Sequence, residues 1–85
     1  MAYKILIAED EPSIVISLEF LLKGAGHVVT VARDGSEALK LAESLVPDLV
    51  VLDVMLPAVN GFEVCRRIRE NPATRHMKVL MLTAR

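Results

Sequence analysis

The sequence predicts an α/β fold in which helices cover a parallel sheet, with elements in the order β-α-β-α-β-α-β. Three observations carry that expectation. Four short apolar runs recur along the chain. They are largely continuous rather than alternating, which suits strands buried on both faces. The stretches between them place apolar residues at helical spacing, and strands alternating with helices imply right-handed crossovers between parallel neighbours.

The first run, Ile5-Leu6-Ile7-Ala8, belongs to a strand over residues 4–8 and ends in Glu9-Asp10-Glu11. Pro12 stands where a helix should start, because its fixed φ suits the first helical position. Ile14, Val15, Leu18, Leu21, Leu22 and Ala25 recur at helical spacing, and Gly24 and Gly26 end that helix. Residues 28–32 are rich in β-branched side chains and read as the second strand. Asp34 and Glu37 have capping-box spacing before a stripe of Ala38, Leu41, Ala42 and Leu45, which Pro47 stops. Residues 48–53 form the third strand, and residues 54–60 a loop that holds Pro57. Asn60 to Glu63 repeats the capping spacing, and the third helix is expected to turn Phe62, Cys65 and Ile68 inward until Asn71-Pro72 ends it. Residues 78–82 are the fourth strand, with Met77 at its flank, Met81 in the core and Thr83 just beyond.

Composition narrows the function classes. The chain has 85 residues, one domain at most. Its hydrophobic share is 53%, above the usual value of about 45–50%. Either the core is dense or an apolar face awaits a cover. Ten basic and eleven acidic residues leave a net charge of −1, which argues against a nucleic-acid surface. The late basic residues Arg66, Arg67, Arg69, Arg75, His76, Lys78 and Arg85 read as a solvated helix face and loop. A single cysteine, Cys65, excludes an internal disulfide and fits a reducing compartment; a buried, inert thiol is expected there. His27 and His76 have no paired ligand and read as surface residues. No apolar run reaches the roughly 18 residues that cross a bilayer, and the N-terminus lacks the shape of a signal peptide. A soluble, cytoplasmic protein with no membrane partner is the expectation.

In open parallel sheets, ligands bind outside the carboxyl ends of the strands. Strand 1 ends there in Glu9-Asp10, strand 3 in Asp53 and strand 4 in Thr83. Crowded carboxylates raise one another's pKa unless a cation sits between them, and hard oxygen ligands suit Mg²⁺. With such a cation, one carboxylate could act as a covalent phosphoryl acceptor. Asp10, Asp34 and Asp53 also suit helix caps and loops. Spacing alone leaves both readings open.

Four linked motifs go further: Ala8-Glu9-Asp10-Glu11-Pro12, Leu52-Asp53-Val54-Met55-Leu56-Pro57, Asn60-Gly61-Phe62-Glu63-Val64-Cys65-Arg66-Arg67-Ile68-Arg69, and Val79-Leu80-Met81-Leu82-Thr83-Ala84. In this order and spacing the chain resembles the receiver domains of bacterial two-component response regulators. The resemblance runs from Tyr3 to Arg85. It implies a flavodoxin-like, doubly wound sheet with strand order 2-1-3-4, part of that class's 2-1-3-4-5. It implies a signalling phospho-acceptor rather than an enzyme, with Asp53 taking the phosphoryl group from a sensor histidine kinase or phosphotransfer protein. Glu9, Asp10, Asp53 and the backbone carbonyl of Met55 would hold Mg²⁺. Pro57 and Gly61 would shape the neighbouring loop, and Thr83 would be the switch hydroxyl.

The family continues with a helix, a strand and a helix that lie beyond residue 85, so residues 1–85 are expected to be a single partial receiver domain. The family lysine at the end of strand 5 has no counterpart among Lys4, Lys23, Lys40 and Lys78. Strand 4 would then present a raw edge and one sheet face would lose cover. The expectation is a homo-oligomer, or completion by another polypeptide. The alternative function is a dimerising scaffold or an engineered fragment without phosphotransfer.

Overall fold

The four apolar runs become four strands of five residues each: β1 (Lys4–Ala8), β2 (Val28–Ala32), β3 (Leu49–Asp53) and β4 (Lys78–Leu82). In this computed structural model, which describes residues 2–82, they form one parallel sheet in the order β2-β1-β3-β4. The central strands β1 and β3 are buried along almost their whole length, whereas β2 and β4 are only partly covered. That difference explains why the β1 and β3 runs are unbroken in the sequence: a strand with helix-side packing on both faces has no polar side.

Three helices provide the packing: α1 (Pro12–Gly24), α2 (Gly35–Leu45) and α3 (Gly61–Glu70). Leu6, Ala8, Val50 and Leu52 point to one face of the sheet and meet Ala38 and Ala42 of α2 and Val64 and Ile68 of α3. Ile5, Ile7 and Val51 point to the other face and meet Leu18 and Leu22 of α1. One face therefore carries two helices and the other carries one.

The helix ends follow local chemistry. Pro12 is at the start of α1, and the Glu11 side chain accepts from the Ser13 N–H. Asp34 caps α2 by accepting from the Glu37 N–H at 2.8 Å, while Glu37 reaches back to the Arg33 N–H at 2.9 Å. This reciprocal arrangement is the expected capping box, reaching one residue further back. Asn60 caps α3 by accepting from the Glu63 N–H at 3.0 Å. Glu63 itself does not reach back; its carboxylate is drawn instead to Arg66 and Arg67. Asp48, expected to open the third strand, precedes it and accepts from the Lys4 N–H at 2.8 Å.

Several inward assignments are corrected. Phe62 is 68% exposed. The inward stripe of α3 is Gly61, Val64, Cys65 and Ile68, at i, i+3, i+4 and i+7, and Phe62 lies one residue out of that phase. Leu21 is exposed for the same reason, since Val15, Leu18 and Leu22 set the inward phase of α1. Cys65 is half-buried rather than fully enclosed. Leu41 and Leu45 are half-buried, at the margins of the stripe whose centre is Ala38 and Ala42. His27 is half-buried and accepts from the Tyr3 N–H at Nδ1 (3.1 Å), while His76 is exposed.

Candidate functional site

β1 and β3 are adjacent and parallel, so their carboxyl ends lie side by side. β1 delivers Glu9 and Asp10, and β3 delivers Asp53. Candidate ligand oxygens of these three carboxylates lie within 4.8 Å of one another. The sheet-end rule thus places the expected acids in one cluster. Asp34, the other acid considered, serves as the α2 cap. Thr83 lies outside the described residues.

The cluster is not evenly solvated. Glu9 and Asp53 are wholly buried, whereas Asp10 is exposed. The Glu9 N–H donates to Ala32 O at 3.0 Å, which fixes the residue at the end of β1. Its Oε2 accepts from the Asp10 and Glu11 N–H groups at 3.1 and 3.0 Å. Asp53 Oδ1 accepts from the Met55 N–H at 3.1 Å. The other oxygen of each, Glu9 Oε1 and Asp53 Oδ2, is buried with no hydrogen-bond partner. Burial pushes the Glu9 carboxyl above its ordinary range, opposed by the Glu11 N–H; the Asp53 carboxylate adds to the rise and the Asp10 N–H opposes it. Two buried carboxylates with open lone pairs, crowded together, are costly unless a proton or a cation lies between them. A hard divalent cation fits this all-oxygen donor set, and the exposure of Asp10 leaves a way in from solvent.

The loop over residues 54–60 walls one side. Gly61 is buried, and its N–H donates to Val54 O at 3.0 Å. A Cβ there would stand 2.3 Å from Asp53 O, so only glycine lets α3 start against the end of β3. Pro57 accepts through its carbonyl from the Val59 N–H at 2.8 Å and from the Gly35 N–H at 3.0 Å. Both expected loop-shaping residues therefore take part in the turn. The Met55 side chain is exposed. Two features were not read from sequence: the Met55 N–H on Asp53, and the Gly35 N–H on Pro57 O. The only signal for the second was a glycine after the capping Asp34, which equally suits a helix start.

The family model for the response regulator receiver domain matches residues 5–85. The alkaline phosphatase synthesis transcriptional regulatory protein PhoP of Bacillus subtilis is 49% identical over 85 residues; the match covers all of this chain and 35% of that protein. The chain thus spans about a third of the length of such curated relatives. Among solved structures, the N-terminal domain of a response regulator receiver protein from Methanoculleus marisnigri has a TM-score of 0.91 at 41% identity, with 98% of this chain and 68% of that one covered. The receiver domain of a sensor histidine kinase from Pseudomonas aeruginosa, solved with a magnesium ion coordinated in its active site cleft, has a TM-score of 0.93 at 32% identity, covering 99% of this chain and 69% of that one. Fold, acid cluster and sequence agree, and the chain belongs to the family of response regulator receiver domains, the phospho-acceptors of two-component signalling.

Proposed function

We propose that this chain accepts a phosphoryl group on Asp53, with Mg²⁺ held by Glu9, Asp10, Asp53 and the backbone carbonyl of Met55. The observation that carries the reading is the pair of buried, partnerless oxygens, Glu9 Oε1 and Asp53 Oδ2, in a cluster one exposed aspartate from solvent. When bound, Mg²⁺ would neutralise charge between the carboxylates and on the incoming phosphoryl oxygens. Asp53 supplies the nucleophile: one carboxylate oxygen forms a new P–O bond as the bond from phosphorus to the donor breaks. With a phosphohistidine donor, the P–N bond breaks and the imidazole nitrogen keeps the electron pair and takes a proton. The Met55 N–H donates to Asp53 Oδ1, so the acceptor is oriented before transfer. Thr83, on the residue after β4, is the proposed hydroxyl that hydrogen-bonds the transferred group. The donor is a sensor histidine kinase or a phosphotransfer protein, and the module is a signalling acceptor rather than an enzyme with turnover.

The test is intact-mass analysis after incubation with acetyl phosphate and Mg²⁺, with Asp53→Asn as the comparison. A gain of one phosphoryl mass in the unaltered chain alone supports the reading. A folded chain that gains none sinks it.

A second reading is favoured by a different observation. Leu80 of β4 and Ile16, Phe20 and Leu21 of α1 are exposed apolar side chains. An interaction scaffold that associates through this side of the sheet would use them, whether or not Asp53 is phosphorylated.

A further inference from the structure

We infer that Gly35 is a positioning residue for the phosphoacceptor loop: the backbone at the start of α2 is the seat that holds residues 54–60, and with them Met55, over the acid cluster. The inference rests on the proposed function for its chemistry, but its geometry is independent of it. Gly35 is buried, and its N–H donates to Pro57 O at 3.0 Å. A Cβ added there would lie 1.8 Å from Val59 O, 2.6 Å from Val59 C and 2.7 Å from Val59 Cβ. The nearest two atoms are backbone, which cannot rotate away. The loop backbone therefore occupies the volume that any other residue at position 35 would need.

The loop needs such a seat. Its far end is pinned by the Gly61 N–H on Val54 O, and Ala58, in its middle, adopts a left-handed φ of 68°. A non-glycine residue in that region persists only where its surroundings enforce it. The surroundings here are Gly35 and the Pro57 turn. The seat itself is rigid, because Ala38 and Ala42 of the same helix are buried against the sheet and Asp34 caps its first turn. Position therefore passes from packed helix to loop, and from loop to the Met55 N–H on Asp53 Oδ1.

The experiment compares Gly35→Ala with Gly24→Ala and Thr74→Ala in the 85-residue chain, by amide NMR and by titration with Mg²⁺ alone. Gly24 has nothing within 4 Å of an added Cβ. Thr74 has a buried hydroxyl that donates to Ile68 O at 2.9 Å, so its loss destabilises the fold without touching the loop. A positioning role shifts the Met55 and Val59 amide signals in Gly35→Ala and speeds Met55 hydrogen exchange, while Thr74→Ala does neither. Mg²⁺ affinity should fall about tenfold or more in Gly35→Ala, the usual loss when a ligand's support is removed. Shifts confined to the residues around 35, with Met55 unmoved, overturn the inference. Should the unaltered chain bind no Mg²⁺, the functional reading fails, and the Met55 amide alone still decides this one. Should Gly35→Ala not fold, Asp34→Ala frays the same first turn: a moved Met55 amide supports the seat, and an unmoved one refutes it.

Discussion

Glu9 shows at the scale of one residue how function and stability oppose each other. Its Oε2 is satisfied by two backbone N–H groups, yet Oε1 is buried without a partner beside an equally buried Asp53. Replacing the carboxylate with an amide of the same shape removes the like-charge contact and supplies an N–H₂ donor for Asp53. Glu9→Gln is expected to raise stability without Mg²⁺ by about 0.5–2 kcal/mol, the usual size of a single stabilising substitution. The same change removes a ligand, so the stabilisation that Mg²⁺ confers on the unaltered chain should shrink or vanish. Urea melts with and without Mg²⁺ check both halves. A variant less stable than the parent without Mg²⁺ would show that the Glu9 charge is already compensated. That Glu9, Asp10 and Asp53 would meet could be read from the chain, because strands of this pattern run parallel and end at one edge. That the Met55 N–H grips Asp53 could not, since it depends on how the 54–60 loop folds back.

At the scale of single elements, α3 carries the clearest charge pattern. Glu63 accepts from Arg66 and Arg67, and Arg66 also pairs with Glu70 at 2.8 Å. Those guanidinium contacts hold the Glu63 carboxyl down to about 2, from an ordinary 4.5. A depressed carboxyl contributes stability that is present above the unfolded value and lost as pH falls through the folded one. The chain should therefore lose melting temperature between about pH 4.5 and 2, and Glu63→Gln should flatten that part of the profile. These groups are solvated, so the effect is small and added salt should shrink it. An unchanged profile in the variant would show that the pairs contribute nothing. A second element-level test concerns the end of α2, where Val46 takes a left-handed φ of 44°. A β-branched residue is strained there. Val46→Asn, which tolerates that region, should gain about 0.5–1 kcal/mol in thermal melts; a loss would mean that the apolar contacts of Val46 outweigh its strain. The helices also show where periodicity stops informing. The four strands and three helices follow from apolar runs, Pro12, the Asp34 and Asn60 caps and Asn71. The phase of α3 does not, because Phe62-Cys65-Ile68 and Gly61-Val64-Cys65-Ile68 both satisfy helical spacing. Only packing against Leu52 and Val50 selects the second.

For the molecule as a whole, the uneven cover of the sheet is the property with consequences. α2 and α3 shield one face, but on the other α1 lies over Ile5, Ile7 and Val51, and β4 is covered there only in part, with Leu82 half-buried against that cluster. Leu80 pairs in register with Val51, points to that thinly covered side and is 55% exposed. Phe20, on the outer side of α1, is 78% exposed. Among the described residues, β4 pairs only with β3, so its outer N–H and C=O groups line an open edge. An apolar side chain beside an open edge favours association through strand pairing. We expect sedimentation velocity on the 85-residue chain to show concentration-dependent association at micromolar levels. Leu80→Lys should weaken it, because a lysine on an edge strand resists both strand pairing and burial. Burying one leucine contributes about 1.5–3 kcal/mol, and each 1.4 kcal/mol is about tenfold in affinity. A symmetric interface holding this residue from both copies should therefore weaken by at least about a hundredfold. A chain that stays monomeric throughout, with Leu80→Lys indistinguishable from it, would remove the scaffold reading and leave phosphoryl acceptance as the one function that the geometry supports.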